Sequence, residues 1–241
     1  MLGSNTLARG ITDTVIALGA AGALAFGAWR VGTGAMSVPA LLVILMAFIK
    51  TVPPAQAEGP VREMYERIQA QMGSLPNWAQ AFSARPGVLE GWMALLKSIR
   101  SNLSVRAYEL STLAAARAIR STYCSLAHGS VLATKVFDPA AVTAIMKDAR
   151  EAPLEPRERA MMRFAEKVAL HADQIGQADV DELKSHGYRD EEIFDIAATA
   201  AARCFLAKLV DALGVQADAS FNDIDPAMLN ALTVGRPVAT R

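Results

Sequence analysis

A thiol, an imidazole and a carboxylate lie close together in the sequence, and together they could move protons and attack an electrophile. They belong to Cys124, His128 and Glu109, and Ser121 stands three residues before the cysteine. If a helix begins at Ser121 as its N-cap, Cys124 lies in the first turn, where free backbone N–H groups and the helix dipole stabilise a thiolate. His128 follows four residues later on the same helix face, within reach to accept or return the thiol proton. The spacing therefore predicts a nucleophilic cysteine with a proton carrier beside it.

Glu109 is the acidic residue that this pair would need, and its surroundings in the sequence are mostly apolar. It is the only acid between Glu90 and Asp138, and it lies in the stretch YELSTLAAARAI. Buried beside the cysteine and the histidine, its carboxylate would complete a Glu–His–Cys proton relay, and desolvation would make it a better base. Two other interpretations stay open on the residues alone: Cys124 is a small buried hydrophobic residue, and Glu109 is a solvated surface residue.

The residues from about 58 to about 218 have the pattern of helices throughout, with no run typical of a strand. Alanine-rich stretches among them, LAAARAI and IAATAAARCFLA, indicate close approach of neighbouring helices, either inside a bundle or between subunits. The fold class is therefore predicted to be all-α. Helix start signals occur at Pro60, Ser104, Asp138 and Pro156, and stop signals at Gly73, Gly187 and Gly214.

Composition narrows the classes of partner and cofactor. The 241 residues carry 24 basic and 24 acidic side chains, and this balance gives no reason to expect a nucleic-acid partner. The patterns CxxC, HExxH, GxGxxG and GxxxxGKS/T do not occur, so the sequence predicts no metal site, no cofactor and no nucleotide site.

Two cysteines are too few for a disulfide framework. Cys204 falls in register with Ile196, Ala200 and Ala207, which favours core packing over a redox role.

Residues 11–49 differ from the rest because they carry only two charges. Apolar runs at 14–29 and 38–49 flank the segment RVGTGAMS, and they predict an N-terminal apolar helical hairpin that contacts a membrane. Two alternatives stay open: a signal peptide that ends at the small residues of Ala55-Gln56-Ala57, and an appendage packed on a partner subunit. The predicted boundaries are 1–57 for this apolar segment, 58–218 for a helical domain and 219–241 for a tail. The predicted location is cytoplasmic, with membrane association through 11–49.

The spacing of Glu109, Ser121, Cys124 and His128 is similar to the pattern E-x11-C-x2-C-x3-H in the peroxidase branch of the alkylhydroperoxidase D-like and carboxymuconolactone decarboxylase family. The resemblance extends over about 58–216. It includes EMYERIQAQMGSLPNWAQAFSARPGVLEGWMAL before the motif, and ERAMMRFAEKVALHAD and LKSHGYRDEEIFDIAATAAARCFLAKLVDALGV after it. It implies an alkylhydroperoxidase D-like helical bundle that assembles as a trimer, hexamer or dimer, with active sites near the subunit contacts.

One position departs from the family pattern, because Ser121 stands where the first cysteine of the pair is expected. The resemblance assigns the attack on a peroxide to Cys124 and the proton relay to His128 and Glu109. Tyr123 replaces a histidine that some members have before the reactive cysteine, and Ser121 would cap the helix and donate a hydrogen bond to the thiolate. The resemblance thus implies reduction of a hydroperoxide, or reaction with another small organic substrate, by one cysteine that an external thiol must regenerate, without a cofactor.

Two alternatives to a peroxidase stay open on the same fold. One is a carboxymuconolactone-type decarboxylase or lactone-processing enzyme, in which the histidine and the glutamate serve as acid and base and a cysteine is not required. The other is a redox sensor, which the loss of the first cysteine of the pair keeps in consideration.

A second resemblance concerns the apolar segment. Residues 11–50 resemble the last transmembrane helix pair of an ATP-binding-cassette exporter, in which a turn of the type RVxTGAxS joins the two helices. No nucleotide-binding domain follows here, so the resemblance implies a fusion, a relic or a misplaced start codon rather than transport.

Overall fold

The computed structural model describes residues 25, 28–30, 32–33, 47–149 and 152–239, and the chain divides into two units, Met1–Leu45 and Met46–Arg241. In the first unit the described residues 28–30 are helical, and the backbone N–H of Thr33 donates a hydrogen bond of 2.9 Å to the carbonyl of Trp29. The predicted apolar hairpin, at 11–49, and the exporter resemblance, at 11–50, lie almost wholly outside the described residues.

Helices make up all the regular structure in the described part of the second unit, as the sequence predicts. Short 3₁₀ helices occur at Pro54–Gln56, Phe82–Ala84, Ala172–Gln174 and Ala219–Asp223. The α-helices are α1 (Gly59–Met72), α2 (Asn77–Ala81), α3 (Pro86–Arg100), α4 (Val105–Ala118), α5 (Thr122–Lys135), α6 (Pro139–Lys147), α7 (Pro156–His171), α8 (Gln177–Ser185), α9 (Asp190–Ala212) and α10 (Pro226–Leu232).

Two of the predicted helix starts are made by side-chain caps. The Ser104 hydroxyl accepts a hydrogen bond of 3.1 Å from the backbone N–H of Ala107, and Asp138 accepts one of 2.7 Å from the N–H of Ala141. Each cap satisfies a backbone donor that the first turn of a helix leaves unpaired. The sequence therefore predicted correctly where α4 and α6 begin.

The core is centred on α4, which packs against α5, α7 and α9. Leu110, Leu113, Ala114 and Ala115 are all fully buried there. Because alanine side chains are small, they let the helix axes approach closely on several sides of α4. The alanine-rich stretch is thus explained by packing within the chain, and α4 is the element against which the neighbouring helices are positioned.

The segment after residue 218, which the sequence predicts to be a separate tail, is part of the second unit. Helix α10 packs against α6 and α5, and its Leu232 is fully buried. A Cβ added at Gly129 of α5 would lie 2.5 Å from a methyl carbon of Leu232. Glycine at that position therefore makes the space that α10 fills.

Residues 47–57, assigned by the sequence to the apolar segment, also pack on the helical unit. The backbone N–H of Phe48 donates a hydrogen bond of 2.7 Å to the carbonyl of Leu213, at the end of α9. Gly214 follows with a φ of +73°, and a Cβ there would lie 2.5 Å from a ring carbon of Phe48. Glycine is therefore needed at this helix end both for its conformation and for the close contact.

None of the helices that can be described, a set that leaves out most of residues 1–46, is both long and apolar enough to cross a lipid bilayer.

Candidate active site

Cys124 and His128 lie one turn apart on α5, and Glu109 faces them from α4. Helix α5 begins at Thr122, so Ser121 holds the N-cap position and Cys124 lies in the first turn, as predicted. The side chains of Cys124, His128 and Glu109 line one cavity of about 520 Å³. Cys124 is only 4% exposed, so reagents reach its sulfur through this cavity rather than from the open surface. The structure therefore brings the three predicted residues together.

The Glu109 carboxylate and the His128 ring form a hydrogen bond between Oε2 and Nδ1. Glu109 is 2% exposed, so this bond forms away from bulk water. Because an ionised carboxylate can only accept a hydrogen bond, Nδ1 carries the proton and Nε2 is left as the basic nitrogen. Burial lowers the pKa of His128, and the charge of Arg203 lowers it further, while Glu109 acts to raise it. The histidine is therefore a neutral base at neutral pH.

Arg203 of α9 is a buried cation in the same cavity, and no sequence motif indicates it. It is 3% exposed, and its Nη1 lies 3.9 Å from the sulfur of Cys124. Its Nη2 donates a hydrogen bond of 3.3 Å to the hydroxyl of Tyr108. The available signal was that Arg203 is the only charge between Asp195 and Lys208, in the middle of an alanine-rich helix.

Ser121 does not make the hydrogen bonds that the sequence predicts for it. It is fully buried, no side-chain cap is formed, and its hydroxyl has no hydrogen-bond partner among the described residues, the Cys124 sulfur included. The hydroxyl lies instead close to the Asp211 carboxylate of α9. Burial raises the pKa of Asp211, and Ser121 and Arg236 act to lower it. Ser121 therefore stands at the predicted N-cap position, but the hydrogen bond predicted from its hydroxyl to the first turn of the helix is not formed.

Tyr123 has its ring on the cavity wall and its hydroxyl in a separate hydrogen-bond network. The hydroxyl donates to the Asp218 carboxylate and accepts a hydrogen bond of 3.1 Å from the backbone N–H of Trp78. Asp218 also accepts one of 2.8 Å from the backbone N–H of Asn77. Burial and the nearby Asp218 charge raise the pKa of Tyr123 well above its usual value. These contacts tie α2 and the segment after α9 to α5 and so fix one side of the cavity.

The walls of the cavity are mainly apolar and aromatic, and cationic side chains line its more exposed part. Its volume of about 520 Å³ lies within the range for sites that hold small organic molecules. The apolar and aromatic lining consists of Met72, Trp78, Trp92, Met93, Leu96, Tyr108, Tyr123, Ala127, Val131, Leu206 and Val210, and the exposed cations are Arg100 and Lys135.

Cys204 lies next to Arg203 in the sequence but is absent from the lining of this cavity. It is partly buried and packs against the hydrophobic core, as its spacing in the sequence predicts. Burial raises the pKa of its thiol. In the ranges that the structure describes, no group of three or more His, Cys, Asp or Glu side chains is arranged to hold a metal ion.

Comparison with known proteins gives structural matches only. No protein-family model and no curated protein matches the sequence. An uncharacterized peroxidase-related protein of Ralstonia eutropha JMP134, described as an alkylhydroperoxidase AhpD core, matches with a TM-score of 0.65 and 23% identity over 79% of this chain and 98% of its own. A peroxidase-related protein of Silicibacter sp. TM1040 matches with a TM-score of 0.63 and 24% identity, over 78% and 96%.

A third match is the debrominase Bmp8, in a complex with 2,3,4-tribromopyrrole, with a TM-score of 0.59 and 20% identity over 71% of this chain and 90% of that chain. At these identities the matches establish the fold. The chain has the all-α, alkylhydroperoxidase D-like fold that the sequence predicts, and none of these three structures is an exporter.

Proposed function

We propose that the protein reduces an organic hydroperoxide at the expense of an external thiol, with Cys124 as the nucleophile. One observation supports this most directly: the thiol shares a single apolar cavity with the His128–Glu109 pair and with the buried guanidinium of Arg203. A thiolate needs a cationic or hydrogen-bonding environment, and a departing alkoxide needs a proton. The site offers groups for both.

In the first step the Cys124 thiolate attacks the terminal oxygen of ROOH. A sulfur–oxygen bond forms as the oxygen–oxygen bond breaks, so the sulfur is oxidised and the peroxide is reduced. His128 accepts the hydrogen of the attacked oxygen at Nε2 and returns it to the leaving alkoxide. The products are ROH and a sulfenate on Cys124. Glu109 keeps Nδ1 protonated throughout and so holds the ring in the tautomer that this transfer requires.

In the second step an external thiol restores Cys124. The sulfenate takes up a proton, and R′SH displaces water from the resulting sulfenic acid to form a mixed disulfide. A second R′SH then releases Cys124 and leaves R′SSR′. Ser121 occupies the position from which a neighbouring cysteine would otherwise close a disulfide, and Cys204 does not line the cavity. The reductant must therefore be a thiol small or flexible enough to enter.

The experiment is thiol-dependent turnover of cumene hydroperoxide and hydrogen peroxide, with Cys204→Ser as the matched control for Cys124→Ser. Cys124→Ser should reduce turnover by about 10³-fold or more, whereas Cys204→Ser should retain it. The apolar cavity predicts a higher kcat/KM for cumene hydroperoxide than for hydrogen peroxide. After hydroperoxide treatment without thiol, a dimedone probe should label wild type and not Cys124→Ser. Labelling without turnover would instead indicate a redox sensor, and no labelling would contradict both functions.

A second candidate function is thiol-dependent removal of halogen from a small aromatic ring. The aromatic side chains of the cavity favour it, as does the fold shared with the debrominase Bmp8. Cys124 would take a bromine from the protonated ring as Br⁺, giving a sulfenyl bromide and the debrominated ring. R′SH would then displace bromide to form the mixed disulfide. Thiol-dependent bromide release from 2,3,4-tribromopyrrole, in the absence of hydroperoxide turnover, would favour this function over the first.

A further inference from the structure

Arg203 is a buried cation whose hydrogen-bonding groups meet no carboxylate among the described residues. Its Nη1 faces the sulfur of Cys124 at 3.9 Å, its Nη2 faces the hydroxyl of Tyr108 at 3.3 Å, and its Nε has no hydrogen-bond partner. The guanidinium also lies against an aromatic face, with its carbon 5.9 Å from the ring centroid of Trp92. All three contacts are to groups that are neutral unless the thiol is ionised.

Such an arrangement is energetically unfavourable unless an anion lies against the guanidinium, and the buried carboxylate of the cavity, Glu109, is hydrogen-bonded to His128 instead. Removing an arginine from water is costly, and an uncompensated buried charge is among the most destabilising features that a protein contains. Hydrogen bonds to neutral partners offset only part of this loss of hydration. A thiolate at Cys124 would supply the missing negative charge at the position that Nη1 already occupies.

The neighbouring histidine does not fill this role. In many cysteine nucleophiles a protonated imidazole balances the thiolate. Here the pKa of His128 is lowered, first by burial and then by the charge of Arg203, so protonation of the ring beside Cys124 is disfavoured. The ionisable groups that line the cavity or act on Cys124 and Arg203 are Arg100 of α3, Tyr108 and Glu109 of α4, Tyr123, His128 and Lys135 of α5, and Cys204 of α9.

We propose that Arg203 is the cationic partner of Cys124: it stabilises the thiolate before the attack and the sulfenate oxygen after it. This inference rests on the proposed function, because it assigns a further catalytic residue to the same reaction. Arginine suits the role better than lysine, since one nitrogen meets the sulfur while the other is fixed by Tyr108. His128 is then free to act as a base on the hydroperoxide.

The experiment measures the ionisation of the thiol rather than turnover. In a Cys204→Ser background, the rate of iodoacetamide alkylation is followed against pH for the parent, Arg203→Met and Arg203→Lys. Arg203→Met should move the alkylation profile to higher pH and reduce the rate at neutral pH by about tenfold or more, with a smaller shift for Arg203→Lys. Arg106→Met, which removes a guanidinium outside the cavity lining, is the matched control and should leave the profile unchanged. An unshifted profile in a folded Arg203→Met would overturn the inference.

A second measurement needs no change at Arg203. The ultraviolet absorbance of the thiolate at neutral pH should be present in the parent and missing from Cys124→Ser. Its absence from the parent contradicts the inference even if the Arg203 variants do not fold.

The role of Arg203 and the proposed hydroperoxide reduction can be rejected independently of each other. A shifted alkylation profile in a protein that reduces no hydroperoxide rejects the function alone, and Cys124-dependent turnover with an unshifted profile rejects only the role of Arg203.

Discussion

Two arginines in this molecule are held in opposite ways. Arg106 of α4 meets the Glu158 carboxylate through two hydrogen bonds, Nε to Oε1 at 2.5 Å and Nη2 to Oε2 at 2.8 Å, and its guanidinium carbon lies 4.3 Å from the ring centroid of Phe137. Arg203 of α9 is more deeply buried, and the hydrogen bonds it makes reach only a thiol and a phenol. The more exposed arginine has the better partner.

This difference separates a structural ion pair from a functional charge. Burial acts to raise the pKa of Glu158, but Arg106 and the backbone N–H of Glu155 hold it below its usual value. The charge in that region is satisfied by permanent parts of the protein. Two buried groups that line the cavity lack a hydrogen-bond partner among the described residues, Trp92 Nε1 and Arg203 Nε. Native proteins keep few such groups, and their place in the cavity lining agrees with a site shaped for chemistry.

The largest expected effect is on activity, and it comes from neutralising one carboxylate in the cavity and one in the Arg106–Glu158 ion pair with glutamine, which has nearly the same shape as glutamate. Glu109→Gln should reduce kcat/KM for hydroperoxide by about 100-fold, because an amide no longer holds His128 in the tautomer with a basic Nε2. Glu158→Gln is the matched control and should change kcat/KM by less than about twofold, since it lies outside the cavity. Steady-state kinetics at several pH values test both. Equal losses in the two variants would remove the distinction between the regions.

For stability the order is reversed: replacing the ion-paired Arg106 should lower the free energy of unfolding, and replacing the buried Arg203 should not. Arg106→Met should lower the free energy of unfolding by about 1 kcal/mol, a modest value because the arginine side chain is 36% exposed. In a Cys124→Ser background, which removes the thiolate, Arg203→Met should leave the free energy of unfolding unchanged or raise it, because it replaces a buried charge without a carboxylate partner by an apolar side chain of similar length. Urea denaturation monitored by circular dichroism measures both. A clear loss of stability on Arg203→Met in that background would show that Arg203 has a structural partner other than Cys124.

The sequence predicted those features that depend on local signals. Ser104 and Asp138 cap their helices as predicted because an N-cap acts on backbone groups a few residues away. The spacing of Cys124 and His128 placed both on one helix face, and Glu109 was selected as the only acid in a mostly apolar stretch, which the family pattern then supported. The same signals failed at Ser121, because the hydroxyl of a fully buried serine is directed by neighbouring helices, here α9 with Asp211, rather than by its own first turn.

Features that depend on distant parts of the chain could not be found in this way. Arg203 contacts Cys124 across 79 residues, and nothing in an alanine-rich helix indicates what a single charge will meet. The docking of α10 depends on Leu232 fitting the space left by Gly129, a tertiary match without a periodic signal. Tyr123 shows the same limit: its position was predicted, but its partner Asp218 lies 95 residues further on.

The smallest effect concerns pH and the neutral state of His128. Its pKa is lowered in the folded protein, so below the ordinary value of 6.5 the unfolded chain binds a proton that the native state does not. This residue should therefore contribute no pH dependence above pH 6.5 and should reduce stability as the pH falls from 6.5 towards the lowered value. His128→Asn should make the loss of stability on acidification smaller than in wild type, in urea titrations at neutral and mildly acidic pH. His171→Asn, which removes an exposed imidazole at the end of α7, is the control. If both variants behave alike, the Glu109 hydrogen bond offsets burial and Arg203. If His128→Asn instead makes the loss of stability on acidification larger than in wild type, the pKa of His128 is raised, and the imidazole is a rival to the guanidinium as the partner of the thiolate.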